Sequence, residues 1–254
     1  MPCNLHEAIT ELDRLLEPSR FQDYCPNGLQ VPGGDQITKI ATGVSASAEL
    51  FEKAATIQAD LLIVHHGIFW GPRPVPIDAP MKRRLKLLFD ADMSLAAYHL
   101  PLDAHPEMGN NALIAQALGA DTLDPFALHE GEPIGCIARF HGGGIEASAL
   151  FAQVAELTAR TPLVFETGPT QIRSLAIVSG GGADYLPDAV IAGADAFLTG
   201  EPAERVMVEA QETAIHFIAA GHYATETFGV RRLGEHLSER FDLEHTFIHV
   251  PNPI

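Results

Sequence analysis

Cysteine is scarce in this chain of 254 residues: Cys3, Cys25 and Cys136 stand far apart, are odd in number and form no C-x-x-C arrangement. That excludes a disulfide framework and a thiolate zinc site, and three free thiols in a reducing compartment are expected. Positive charge is scarce as well. Against 33 Asp and Glu there are 16 Lys and Arg, a formal net charge of −17. Nucleic acid is thereby excluded as the main partner, because neutralising phosphates needs a basic surface. The densest basic cluster, Lys82-Arg83-Arg84-Leu85-Lys86, is short and lies in a helix-like segment, where a solvated helix face is expected. No apolar run approaches the ~20 residues that span a bilayer. The stretch Met1-Pro2-Cys3-Asn4-Leu5-His6-Glu7 has no basic region leading into an apolar one, so no secretory signal is read there. A cytoplasmic protein with no membrane partner is the expectation. With 46% apolar and 19% charged residues, the chain reads as globular and is long enough for one large or two modest domains.

What the chain does contain is a regular alternation of elements. Asn4 is a good N-cap, Glu7 takes the capping-box position, and Leu5, Ile9, Leu12, Leu15 and Leu16 keep helical spacing until Pro18. An irregular stretch over 20–35 follows, with Pro26-Asn27-Gly28 and Pro32-Gly33-Gly34; a loop this long that is neither charged nor low-complexity is often functional. Strands are predicted over 37–44, 60–64, 93–99, 134–140, 172–179, 195–198, 215–220 and 245–250. Helices are predicted over 46–59, 80–90, 110–118, 146–160, 183–192, 204–211 and 225–240. Alternation of this kind implies mostly parallel sheets covered by helices, an α/β fold. The turn-rich residues 123–133 form the natural boundary between two α/β lobes, 1–125 and 126–254.

Three of these strand-like runs end in potential metal ligands. Asp60-Leu61-Leu62-Ile63-Val64 runs into His65-His66; Leu95-Ala96-Ala97-Tyr98 runs into His99-Leu100-Pro101-Leu102-Asp103; Ile215-His216-Phe217-Ile218-Ala219-Ala220-Gly221 runs into His222, with Glu226 four residues on. Parallel sheets bring the carboxyl ends of their strands to one edge, where ligands bind. Imidazoles and carboxylates gathered there suit a divalent transition metal, and more than one. Adjacent strand residues point to opposite faces, which favours one of His65 and His66 on each of two neighbouring ions. His222 and Glu226, at i and i+4, share one helix face with Cβ atoms ~6 Å apart. His99, His105 and Glu107 read as supporting groups. Glu201, after Ala196-Phe197-Leu198-Thr199-Gly200, either supports the site or opens the next helix, where a carboxylate complements the dipole. Ser179-Gly180-Gly181-Gly182 is a weak candidate for a phosphate-binding turn, and Gly142-Gly143-Gly144 reads as a plain turn.

Together, Pro26-Asn27-Gly28-Leu29-Gln30, His65-His66-Gly67-Ile68-Phe69-Trp70, Tyr98-His99-Leu100-Pro101-Leu102-Asp103-Ala104-His105-Pro106, Gly109-Asn110-Asn111, Asp195-Ala196-Phe197-Leu198-Thr199-Gly200-Glu201 and Gly221-His222-Tyr223-Ala224-Thr225-Glu226 resemble the YbgI branch of the Nif-three-like proteins, labelled GTP cyclohydrolase type 2 homologues. The resemblance runs nearly end to end. It implies a dinuclear metal centre at the cleft between the two lobes, in a homohexameric, toroid-shaped ring with sites facing the interior. It also implies the metal ligands His65, His66, Asp103, His222 and Glu226. Glu226 would bridge both ions, with His66 and Asp103 on one and His65 and His222 on the other.

Five protein groups cannot saturate two ions, so water fills the other positions and the site is open and catalytic in type. Metal-assisted hydrolysis of a small-molecule substrate, a nucleotide or other phosphorylated compound, is the reading that follows. Cyclohydrolase chemistry, water attack at an imidazole ring carbon, fits the same logic. Glu226 with Glu107, His105 and Glu201 are the catalytic candidates, the last three for proton transfer. With nitrogen and oxygen ligands, zinc, manganese, iron, cobalt and nickel all suit the two positions. The competing reading is a non-catalytic metal-binding ring that acts as scaffold or metal chaperone.

Overall fold

The computed structural model describes residues 3–71 and 76–254; Met1 and Pro2 of the N-terminal reading lie outside them. The first helix, Leu5–Leu16, starts where expected: the Asn4 side chain accepts from the helix backbone and Glu7 returns the bond, a complete capping box. The chain then divides into two compact units. One comprises Met1–Leu102 with Gly229–Pro251, the other Asp103–Phe228 with Asn252–Ile254.

The first unit carries a five-stranded sheet in the order Glu244–Phe247, Lys39–Ser45, Leu61–His66, Ser94–Ala97, Gly28–Val31. All neighbours are parallel except the last pair. Leu61, Leu62, Ile63 and Val64 are completely buried, as expected of a parallel strand covered on both faces. Leu62, Val64, Leu95 and Ala97 pack with Leu50, Phe51 and Ala54 of helix Ala48–Thr56 and Leu88 of helix Ala79–Asp90.

The second unit holds a six-stranded sheet in the order Leu163–Phe165, His216–Ala219, Ala196–Thr199, Ser174–Val178, Glu132–Arg139, Thr122–His129. Its core joins Leu175, Ile177, Leu198 and Ile218 to Leu150 and Val154 of helix Ala147–Leu157 and Ile114 of helix Asn110–Ala117. Only the pairs among Ser174–Val178, Ala196–Thr199 and His216–Ala219 are parallel; the others are antiparallel. The expectation of mostly parallel sheets therefore holds for the first unit, and the second is mixed.

The boundary expected at 125/126 is corrected. Residues 123–133 belong to a hairpin in which Thr122–His129 pairs antiparallel with Glu132–Arg139. Its two-residue turn, Glu130-Gly131, has φ of +48° and +95°, the left-handed pair that hairpins favour. Pro125 is tolerated because its strand is an edge strand. The chain leaves the first unit between Leu102 and Asp103 and returns between Phe228 and Gly229. Other departures are local. Gly28–Val31, expected as irregular, is an edge strand. The helix expected over 225–240 is two, His222–Thr225 and Thr227–Phe241. No helix among the described residues is long and apolar enough to cross a membrane. Cys3, Cys25 and Cys136 are free thiols, all buried.

Candidate metal centre

In each unit, parallel strands deliver polar groups to one edge. In the first, strand Lys39–Ser45 ends at Ser45, strand Leu61–His66 ends at His65-His66, and strand Ser94–Ala97 leads directly to Tyr98-His99. Ser45 lies opposite His66, and Val64 opposite Ala97, so shared register brings the three imidazoles together. The ring centroids of His65 and His66 are 4.7 Å apart, those of His65 and His99 4.9 Å, and those of His66 and His99 5.6 Å. One ligand atom from each lies within 4.8 Å of the other two.

Each ring is held through Nδ1. His65 Nδ1–H donates to the Tyr98 carbonyl at 2.9 Å, His66 Nδ1 pairs with Ser45 Oγ at 3.0 Å, and His99 Nδ1–H donates to Asp23 Oδ1 at 2.7 Å. A neutral imidazole donating through Nδ1 carries its lone pair on Nε2, and such partners orient metal-binding histidines. The Asp23 carboxylate is only 2% exposed. It also accepts the amide N–H groups of Tyr24 and Leu100, at 2.6 and 3.0 Å, and the Asn27 side-chain amide at 2.8 Å. Burial raises its pKa, but the His99 bond and charge, the Asn27 amide and the Leu100 N–H outweigh that and hold it below the usual carboxylate value. Asp23, Cys25 and His99 also lie close enough to share an ion. Burial, aided by the Asp23 charge, pushes the Cys25 thiol up to about 12, so Cys25 is a protonated thiol and this trio is not a thiolate site.

The second unit repeats the pattern. Strand Ser174–Val178 leads to Ser179, Ala196–Thr199 to Gly200-Glu201, and His216–Ala219 to the turn before His222. Asp103, the first residue of this unit, is buried, and its Oδ1 accepts from Asn110 Nδ2 at 2.7 Å and Ser179 Oγ at 3.0 Å. Asn111 donates to the Asp103 and Ile134 carbonyls and accepts the Ser179 N–H. The Gly109-Asn110-Asn111 segment thus fixes the Asp103 carboxylate.

His222 Nε2 lies 3.0 Å from Glu226 Oε1, and its Nδ1 pairs with Glu201 Oε1. Burial lowers the His222 pKa, yet the bonds and charges of Glu226 and Glu201 carry it up to about 9. Glu226 is buried and faces Gly180, where φ is +62° and an added Cβ would overlap Glu226 Oε1 and come within 3.1 Å of His222 Nε2. Asp103 and Glu226 therefore flank one turn, Ser179-Gly180.

A family model described as Duf34/NIF3 (NGG1p interacting factor 3) matches residues 3–253. The chain belongs to the DUF34/NIF3 family. It is 44% identical over 254 residues to a Pseudomonas aeruginosa protein named GTP cyclohydrolase 1 type 2 homolog, with all of both chains covered. An Escherichia coli protein of the same name is 44% identical, over 96% of this chain and 98% of its own. Among solved structures, protein ybgI superposes with a TM-score of 0.91 at 40% identity, covering 99% of this chain and 100% of that one.

In this DUF34/NIF3 chain, the structure gathers His65 and His66 in the first unit and His222 with Glu226 in the second, where Asp103 shares the Ser179-Gly180 turn. His99, read as a supporting group, stands as close to His65 as a third ligand would. Glu201 touches His222 directly. His105 Nδ1 accepts the backbone N–H groups of Glu107 and Met108, at 3.2 and 3.0 Å, and Glu107 is exposed. The glycine turn after Ser179 is not a phosphate cradle: Gly180 N–H donates to Thr225 Oγ1 and Gly182 N–H to Thr199 Oγ1, both at 3.0 Å, and the Glu226 carboxylate abuts it. Gly142-Gly143-Gly144 is the plain turn expected, with φ positive at all three positions. Asp23, Ser45 and Ser179 were missed as partners of the site. Asp23 lies in the irregular stretch over 20–35, whose length was the only local signal. The donor set fits a divalent transition metal: imidazoles oriented through Nδ1 and carboxylates held by amides and hydroxyls, with no thiolate.

Proposed function

We propose that this protein is a metal-dependent hydrolase of a nucleotide or other phosphorylated small molecule. His65, His66, Asp103, His222 and Glu226 would hold two divalent ions. By the family resemblance, Glu226 would serve both ions, with His66 and Asp103 serving one and His65 and His222 the other. The observation that carries this reading is the anchoring of His65 and His66 through Nδ1, by the Tyr98 carbonyl and Ser45 Oγ, which makes Nε2 the ligating nitrogen of both rings, while His222, held at Nδ1 by Glu201, has its Nε2 3.0 Å from Glu226 Oε1. The name of the Pseudomonas aeruginosa relative, GTP cyclohydrolase 1 type 2 homolog, supports the nucleotide class. Bound there, zinc, manganese, iron, cobalt or nickel supplies Lewis acidity toward the electrophile and toward water.

The protein groups have separate tasks. Glu201 takes the Nδ1–H of His222 and fixes its ring. Asn110 and Ser179 hold Oδ1 of Asp103. Proton transfer falls to Glu226 and Glu201, which touch His222, and to His105 and Glu107 nearer the solvent. His105, accepting at Nδ1, carries its proton on Nε2. The assembly we propose is a homohexameric ring; exposed Leu128, Ile191, Met207 and Val208 offer apolar surface for it.

Elemental analysis of protein purified without chelator tests the reading, comparing wild type with His65→Ala and Glu226→Ala. About two metals per chain, lost in both variants, together with a sedimentation mass of six chains, is expected. No metal in wild type even after reconstitution sinks the hydrolase. Full metal with no turnover across phosphoester and cyclic-amide substrates leaves the scaffold or metal-chaperone reading.

A further inference from the structure

Beside the imidazole cluster the first unit exposes two aromatic side chains. Trp70, the chain's single tryptophan, is 40% exposed and Tyr24 is 57% exposed. Both stand around His99. The Trp70 ring meets His99 edge-on, with centroids 5.3 Å apart and planes at 77°, and lies 5.6 Å from His66 at 53°. Tyr24 meets His99 at 6.2 Å and 61°. The contacts of Trp70 and Tyr24 with His99 are edge-on, and that of Trp70 with His66 is tilted.

The rim is built rigidly. Trp70 Nε1–H donates to the Gly67 carbonyl at 3.0 Å, which fixes the indole and leaves it only its faces to offer a ligand. Gly71 N–H donates to the Tyr24 carbonyl at 2.7 Å. Gln30 joins the two loops: its Nε2 donates to Pro26 O at 2.8 Å and its Oε1 accepts the Ile68 N–H at 2.9 Å. A Cβ at Gly67 would overlap the Gln30 amide. Asp23 anchors both Tyr24 N–H and His99. A fixed, part-exposed indole beside oriented imidazoles, with the exposed Tyr24 phenol nearby, forms a platform that stacks a planar ring with little ordering cost.

We propose that Trp70 and Tyr24 clamp the heteroaromatic ring of a nucleobase-bearing ligand beside His66 and His99. This rests on the imidazole cluster being the reacting site, but ring binding itself requires no metal. Stacking a base on an aromatic side chain is tolerant of base identity, so purine and pyrimidine nucleosides both bind, and ribose 5-phosphate does not.

Because Trp70 is the sole tryptophan, its fluorescence reports the platform directly. Protein as purified, and the same protein after chelation, is titrated with guanosine, cytidine and ribose 5-phosphate. Saturable quenching by both nucleosides and none by the sugar phosphate is expected in both preparations. By equilibrium dialysis, Trp70→Ala weakens guanosine binding roughly 5- to 150-fold, Trp70→Phe keeps most of it, and Tyr24→Ala weakens it by a smaller factor. No saturable quenching by either nucleoside, equal quenching by the sugar phosphate, or undiminished binding in a folded Trp70→Ala protein overturns the clamp. Metal loading without nucleoside binding removes the clamp alone. Nucleoside binding without metal removes the hydrolase reading alone.

Discussion

Replacing Asp23 by Asn isolates the interaction that organises the first unit's imidazole cluster. The shapes are equal, but the charge is lost and one acceptor becomes a donor. In the wild type, the Asp23 carboxylate takes four N–H hydrogen bonds, from His99 Nδ1, the Asn27 amide and the N–H groups of Tyr24 and Leu100, and a long one from the Cys25 thiol. Its side chain is 2% exposed and that of His99 13%, so solvent screens the pair weakly. A hydrogen bond to a charged group contributes about 1.5–3 kcal/mol. Breaking a buried pair by removing one partner costs about 3–5 kcal/mol. The Asn retains one acceptor, so a loss of about 2–4 kcal/mol is expected, or roughly 4–16 °C in Tm for a protein of this size. The assay is thermal unfolding of chelated protein for wild type, Asp23→Asn, His99→Gln and the double variant. The pair coupling from the cycle should exceed about 1 kcal/mol. Acidification should act in the same direction. Because the folded carboxyl pKa is depressed, its contribution is present above the unfolded value and is lost as pH falls through the folded one. An Asp23→Asn protein that melts within about 1 °C of wild type, or strictly additive single variants, would refute the reasoning.

The second unit's His222–Glu226 cluster yields two more expectations. His222, with its pKa up to about 9, stabilises metal-free protein fully below the ordinary histidine range and loses that contribution as pH rises through about 9. The difference is on the order of 3 kcal/mol. Chelated His222→Gln should show a flatter fall in Tm over that alkaline interval, and parallel wild-type and variant curves would contradict the assignment. Gly180→Ala combines a left-handed φ with a Cβ that overlaps Glu226 Oε1, so a loss of about 1–3 kcal/mol and reduced metal content are expected. A variant with wild-type Tm and metal content would show that Glu226 does not depend on this close approach.

Much of the fold was legible because its signals are local. The capping box at Asn4 and Glu7, the apolar run before His65-His66 and the helix after Asn110 are each set by residues within a turn or two of one another. The hairpin over Thr122–Arg139 was misread because Pro125, Gly131 and Pro133 look alike in a linker and in an edge-strand hairpin; only the pairing partner distinguishes them. The mixed second sheet escaped for the same reason, since strand direction is a property of pairs and not of segments.

The sequence by itself determined the donor types, their placement just after apolar strands, the acidic balance and the scarcity of thiolate. Those properties belong to single residues and short periods. Tertiary structure decided which nitrogen of each imidazole faces the site. The partners that decide it lie far along the chain: Ser45 for His66, Tyr98 for His65, Asp23 for His99 and Glu201 for His222, with separations of 21, 33, 76 and 21 residues. It also returned Gly229–Pro251 to the first unit, where strand Glu244–Phe247 completes the sheet beside Lys39–Ser45. Local preference is set within a few residues, whereas a hydrogen bond across 76 residues forms only after the sheet register has brought its ends together.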